Sequence, residues 1–106
     1  MISAPRPRPP LSEPRITRED SDTRGRWVLQ VDGQEAELTY SRLSPARIIA
    51  DHTGVPSALE GRGLGRALVA RMVEDARAEG LTVVPTCPFV RAMGQRHADW
   101  QDVIEL

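Results

Sequence analysis

The chain has 106 residues, 40% of them hydrophobic, and 14 basic against 15 acidic side chains give a formal net charge of −1. A chain of this length forms one domain, and a charge so close to zero argues against nucleic-acid or membrane-surface binding. The single cysteine cannot form an intrachain disulfide, and no apolar run has the length of a signal peptide or membrane span. We therefore expect a cytoplasmic protein.

The first 14 residues differ in composition from the rest. They contain five of the nine prolines, with Arg6 and Arg8 interleaved among them. Proline fixes φ and lacks a backbone donor, so this segment does not suit a helix or a sheet interior. We expect residues 1–14 to form a disordered tail, with a proline-motif ligand or basic docking arm as the alternative. Residues 15–106 are expected to form the folded domain.

The next forty residues have the alternating pattern of β-strands. The predicted strands are residues 15–18, 27–31, 35–40 and 47–55. Asp32-Gly33 predicts a tight hairpin turn and Ser44-Pro45 a second turn, so these strands should form an antiparallel meander. His52 falls in alternation with Ile48 and Ala50, which predicts that it faces the core.

A helical period begins at Gly63 and continues to Glu79. Leu64, Leu68, Met72 and Ala76 recur at steps of four, and Gly80 is a natural end. Residues 81–84 predict a short strand, which completes a βαβ unit with the strand before the helix. Pro88 suits the first turn of a further helix. The expected fold is α+β (α/β): a mixed sheet, an antiparallel meander followed by a βαβ unit, with a central helix and C-terminal helices.

Three glycines at alternate positions, Gly61, Gly63 and Gly65, lead directly into the predicted central helix. Glycine lets a ligand approach the backbone, and a helix N-terminus attracts phosphate. All basic residues are arginine, which excludes a Walker-type loop, and the spacing is not that of the dinucleotide fingerprint. By itself the loop predicts either an anion site or a tight turn at a helix start.

Three motifs narrow these alternatives when they are taken together. They are His52-Thr53-x-Val55-Pro56, the loop from Glu60 to Gly65, and residues 84–90 followed by His97. In combination they resemble the GNAT superfamily of acyl-CoA N-acyltransferases, and within it the short branch of stand-alone N-acetyltransferase domains. The resemblance covers residues 16–106. It implies a fold in which two parallel strands diverge and acetyl-CoA, or coenzyme A, lies in the gap.

The resemblance also implies the residues that bind the cofactor. These are Val55, Gly61, Arg62, Gly63, Leu64, Gly65 and Arg66. The loop amides would hold the pyrophosphate, Arg62 or Arg66 a ribose phosphate, and backbone groups near Val55 the pantetheine arm. We assign no metal, because Cys87, His97 and Asp99 lack zinc-ligand spacing.

Cys87 is the candidate catalytic residue. A lone cysteine commonly serves as a small buried hydrophobe, but Cys87 lies between a strand end and the helix predicted to begin at Pro88. A thiol at a helix N-terminus can have a lowered pKa and be more nucleophilic. In the resembling family this cysteine lies beside the reactive end of the cofactor. It would then accept the acyl group or position the acceptor amine.

Two positions depart from the family pattern. Gly54 and Met93 occupy places where relatives commonly have glutamate and tyrosine, which serve as base and acid. The sequence is therefore consistent with two functions. The first is an acetyl-CoA-dependent N-acetyltransferase acting on the primary amine of an unidentified acceptor. The second is a catalytically impaired CoA-binding or partner-docking module with the same fold. We expect no nucleic-acid or membrane partner, and the oligomeric state is left open.

Overall fold

The structure is a computed structural model that describes residues 15–106. The Pro/Arg-rich segment predicted to be a tail lies outside the described residues. The strands are β1 Ile16–Asp20, β2 Arg24–Val31, β3 Gln34–Ser44, β4 Arg47–Gly54 and β5 Thr82–Pro85, and the helices are α1 Leu64–Glu79 and α2 Pro88–Arg96. Short 3₁₀ helices lie at Ser57–Leu59 and Ala98–Trp100.

The strands form one sheet in which spatial order equals chain order. Strands β1 to β4 are antiparallel, and β5 runs parallel to β4. The β2–β3 hairpin closes through Asp32 and Gly33, whose φ values of 51° and 76° are those of the tight turn that matches strand twist. The predicted mixed sheet, with its meander followed by a βαβ unit, is confirmed.

Helix α1 covers one face of the sheet. Its predicted apolar stripe is buried, and the facing side chains of β2 and β3 are buried with it. The central side chains of this core are Leu68, Met72, Trp27, Leu38 and Tyr40. Each large apolar side chain removed from water contributes about 1.5–3 kcal/mol, so this layer is the main source of stability. Within residues 15–106, no helix is long and apolar enough to cross a membrane.

The opposite face of the sheet, here called the open face, carries charged side chains. Arg26 on β2 lies at its centre and pairs with the carboxylates of Glu19, Glu35 and Glu37. Because side chains alternate along a strand, these residues point away from the buried neighbours Trp27, Ala36 and Leu38. The open face is therefore ionic around Arg26, whereas the face covered by α1 is mainly apolar.

A β-bulge interrupts the pairing of β3 with β4. Thr39 pairs with His52 and Tyr40 with Ala50, which leaves Asp51 as an extra residue. The extra residue reverses the alternation, so Thr53 lies on the core side opposite Leu38 and His52 is exposed. The prediction that His52 faces the core is therefore wrong.

Candidate active site

The bulge lies where β4 and β5 diverge. The parallel pairing joins Arg47 through Ala50 to residues 82–85 and goes no further. Beyond it the Ala50 carbonyl accepts hydrogen bonds from the Cys87 N–H at 3.0 Å and the Thr86 hydroxyl at 2.8 Å. These bonds turn the chain into α2 while β4 continues to Gly54, and a gap opens between them.

A cavity of about 450 Å³ occupies the region of this gap. Its lining residues are Thr53, Val55, Leu59, Glu60, Gly61, Gly63, Leu64, Gly65, Arg66, Phe89 and Met93. The cavity thus brings together six of the seven predicted cofactor residues. Arg62 is the exception, because its side chain extends to Asp32 at the β2–β3 turn, with 3.2 Å between the guanidinium and the carboxylate.

Helix α1 begins at this cavity without a capping side chain. Gly63 is the N-cap residue, the first turn contains no acidic residue, and the first intrahelical bond runs from the Ala67 N–H to the Gly63 carbonyl at 3.1 Å. The amides of Leu64, Gly65 and Arg66 precede that bond and lack a partner within the helix. Such an N-terminus offers donors and a positive dipole end to an anion.

Gly61 and Gly63 are required by the backbone conformation. Their φ values of 81° and 76° are unfavourable for residues with a side chain. A Cβ atom added at either position would meet nothing within 4 Å, so the space beside the loop is open. An uncapped helix start beside an open glycine loop is suited to bind an anionic group.

Gly65 has a different structural reason. A Cβ atom there would lie 2.8 Å from Cζ of Phe89, so the aromatic ring packs directly on the helix at this position. Phe89, 38% exposed, thereby forms a wall of the cavity. The loop glycines consequently have two structural reasons: a positive φ beside open space at Gly61 and Gly63, and a close ring contact at Gly65.

Cys87 lies in the wall behind the cavity. It is the N-cap residue of α2, is buried, and its Sγ is 3.4 Å from Oγ1 of Thr53, which lines the cavity. Burial raises the pKa of the Cys87 thiol, but the hydrogen bond with Thr53 and the backbone amides at the start of α2 lower it by more. The net effect is a pKa below the ordinary value, so the environment favours the thiolate.

Thr53 and Phe89 line the cavity, and neither was among the site residues predicted from the sequence. Thr53 was missed because simple alternation places its neighbour His52 inward, and the bulge reverses that order. Phe89 belongs to the Cys-Pro-Phe motif, which was itself a signal, but its packing on Gly65 joins residues 24 positions apart.

Comparisons with known proteins agree with this geometry. The family model of GCN5-related N-acetyl-transferases matches residues 26–103, a range that includes the whole cavity lining. The chain is also similar to the NMR solution structure of a GCN5-like protein from Staphylococcus aureus. That protein is 30% identical, with a TM-score of 0.64 over 83% of this chain and 86% of the other. None of the curated proteins matches. The chain belongs to the GCN5-related N-acetyltransferase family.

Proposed function

We propose that the protein transfers the acetyl group of acetyl-CoA to a primary amine. The observation that carries this proposal is the uncapped N-terminus of α1, which opens beside Gly61 and Gly63 onto the cavity between the diverging strands. Free amide donors at a helix start bind phosphate, and a gap beside a strand edge suits an extended cofactor arm.

Different residues of the cavity would bind different parts of the cofactor. The amides of residues 63–66 would bind the pyrophosphate, and Arg66, exposed at the cavity rim, a ribose phosphate. The backbone of Val55 would pair with the pantetheine arm, and Leu59, Phe89 and Met93 would supply apolar walls. When bound, acetyl-CoA supplies an activated thioester. A backbone N–H aimed at its carbonyl oxygen would stabilise the negative charge that develops there.

We assign Cys87 to the chemical step. Its thiol hydrogen-bonds to Thr53, a lining residue, and its lowered pKa increases the thiolate fraction near neutral pH. Its two candidate roles are acceptance of the acyl group and positioning of the amine.

A second candidate function is a CoA-binding or partner-docking module without turnover. Gly54 and Met93 favour it, because neither can transfer a proton and relatives commonly have glutamate and tyrosine at these places. Met93 lines the cavity, so the missing acid would have been at the site itself.

One experiment separates the two functions. The protein is titrated with CoA while its thermal stability is followed, then incubated with acetyl-CoA and a panel of primary amines while acetylated amine is measured by mass spectrometry. A ligand at about 100 times its Kd adds roughly 2.7 kcal/mol of stability. Stabilisation with amine acetylation identifies a transferase, and stabilisation without acetylation identifies the module. No stabilisation at millimolar CoA would overturn both.

A further inference from the structure

A second cavity, of about 460 Å³, lies beside the same stretch of β4 on the open face. It is lined by Arg26, Glu35, Glu37, Gly54, Val55 and Pro56. Val55 therefore lines both cavities, and Gly54 between them carries no side chain. An acceptor that enters from the open face reaches β4 at the point where the cofactor cavity begins.

Glu37 is the carboxylate closest to this point. It is the cross-strand partner of Gly54, and a Cβ atom added to Gly54 would lie 3.9 Å from Cγ of Glu37. Glu35 is two residues away along β3 and is paired instead with Gln30. Gly54 has no side chain, and the atom nearest to the position of an added Cβ is Nε2 of His52, at 3.1 Å.

The carboxylates around Arg26 differ in their remaining capacity to accept a proton or a hydrogen bond. Glu19 uses both oxygens on the Arg26 guanidinium, and Glu35 uses one on Arg26 and the other on Gln30. Glu37 uses only Oε1, at 2.8 Å from Nη1 of Arg26. Within residues 15–106, Oε2 of Glu37 has no hydrogen-bond partner, so Arg26 holds the group in place and leaves one oxygen available.

The chemistry of amine acetylation requires such a group. A primary alkylamine has a pKa close to that of lysine, about 10.4, so near neutral pH it arrives as the ammonium and must lose a proton before it can attack. We propose that Glu37 is the general base of the reaction and that the acceptor is a protonated primary amine that enters from the open face. This inference rests on the proposed transferase function.

The proton and electron balance is complete. Oε2 of Glu37 takes one proton from the ammonium, and the freed nitrogen lone pair forms a C–N bond with the thioester carbonyl carbon. The C–S bond breaks with its electron pair on sulfur. The second proton lost by the nitrogen neutralises the departing thiolate, and Glu37 returns its proton to water. The two glutamates of the cavity outnumber its one arginine, so the local charge favours a cationic acceptor.

The test uses two acceptors of equal size, propylamine and ethoxyamine, of which only the first is protonated near neutral pH. Glu37→Gln is expected to reduce acetylation of propylamine by about a hundredfold, within the range of general-base catalysis, and acetylation of ethoxyamine by less than about threefold. Raising the pH toward the pKa of propylamine should restore activity. Glu19→Gln, which removes a charge from the same arginine but lies outside this cavity, should leave both rates within about threefold of the unmodified protein.

Two further measurements distinguish a base at Glu37 from a structural role and from a base at His52. Ammonium binding is followed in CoA-saturated, isotope-labelled protein by the amide shifts of Gly54 and Val55, which propylamine should perturb less in Glu37→Gln. His52→Gln tests the other titratable side chain nearby, whose Nε2 would lie 3.1 Å from an added Cβ at Gly54. It should leave both acetylation rates within about threefold of the unmodified protein.

Three outcomes would overturn the inference. The first is equal loss in Glu37→Gln and Glu19→Gln, or equal loss for both amines. The second is a hundredfold loss in His52→Gln with activity retained in Glu37→Gln. The third is an unmodified protein that binds acetyl-CoA and acetylates neither these amines nor any other primary amine of the panel, which refutes the transferase function itself. The first two leave that function intact.

Discussion

The two helices begin at the same cavity but use their N-termini differently. Helix α1 starts after Gly63 with no capping side chain and open space in front of its first amides. Helix α2 has Cys87 as its N-cap residue, and the backbone amides of its first turn lower the pKa of the buried Cys87 thiol. One helix start has its donors facing open space, where the proposed cofactor would bind, while the other uses them to lower the pKa of a protein group.

Under the proposed function, this difference would separate cofactor binding from chemistry. A helix dipole aimed at open space attracts an anion from outside, and the same dipole aimed at a thiol stabilises the thiolate. Substitutions at the start of α1 should therefore change cofactor affinity, and those around Cys87 should change turnover. The following predictions test this division, from the largest expected effect to the smallest.

Gly63→Val should weaken CoA binding by about a hundredfold or more and abolish thermal stabilisation by CoA. The branched side chain would occupy the open space in front of the amides and would oppose the positive φ. Gly80→Val is the matched control, because Gly80 has φ 70° with nothing within 4 Å of an added Cβ, at the far end of the same helix. It should carry similar backbone strain and retain CoA affinity. Equal affinity losses in both variants would mean that strain alone explains the result.

Cys87→Ser should lower turnover at least about tenfold while CoA affinity stays unchanged, as expected for an interaction made only in the transition state. Serine keeps the size of the side chain and has a far higher pKa. Alkylation of Cys87 in the unmodified protein should also be slowed by bound acetyl-CoA. Full activity in Cys87→Ser would show that the residue only packs the wall of the cavity.

Arg66→Ala should weaken CoA by about five- to tenfold and dephospho-CoA by less, because a guanidinium at the cavity rim would meet the ribose phosphate. Arg62→Ala serves as the control. Its side chain pairs with Asp32 rather than lining the cavity, so both ligands should bind it almost as they bind the unmodified protein. Isothermal titration with the two ligands gives the four affinities. A larger loss of CoA affinity in Arg62→Ala than in Arg66→Ala would instead assign the ribose phosphate contact to Arg62.

Thr53→Val should produce the smallest change. The Thr53 hydroxyl stabilises the Cys87 thiolate, so its removal should raise the thiol pKa and slow alkylation by iodoacetamide near neutral pH. The pH–rate profile of alkylation should move to higher pH. Thr86→Val removes a nearby hydroxyl that bonds to the Ala50 carbonyl and should not move the profile. An unchanged profile in Thr53→Val would leave the α2 amides as the cause of the lowered pKa.

Local patterns were sufficient to predict most of the fold. The Asp32-Gly33 turn, the end of α1 at Gly80 and the start of α2 at Pro88 each depend on the conformational preference of one or two residues, and all three are confirmed. The apolar stripe of α1 was equally readable, since its four-residue steps leave only one face for the core.

The features that shape the cavity depend on residues far apart in the chain. The bulge at Asp51 arises from the pairing of β3 with β4. No proline or glycine at that position indicates it in the sequence. The ion pair that draws Arg62 away from the cavity spans 30 residues. The sequence therefore located the glycine loop, but it could not distinguish Arg62 from Arg66 or show that Thr53 replaces His52 on the inner face.

The identity of spatial and chain order in the sheet has a consequence for how the protein folds. Every strand pairs with the one synthesised immediately before it, so loop-closure costs stay small and native pairing needs few distant encounters. All residues that line the cavity lie between Thr53 and Met93, within one uninterrupted stretch that begins at the end of β4. The emerging chain can thus form the four-stranded meander first and then add the cavity, together with β5, at its growing edge.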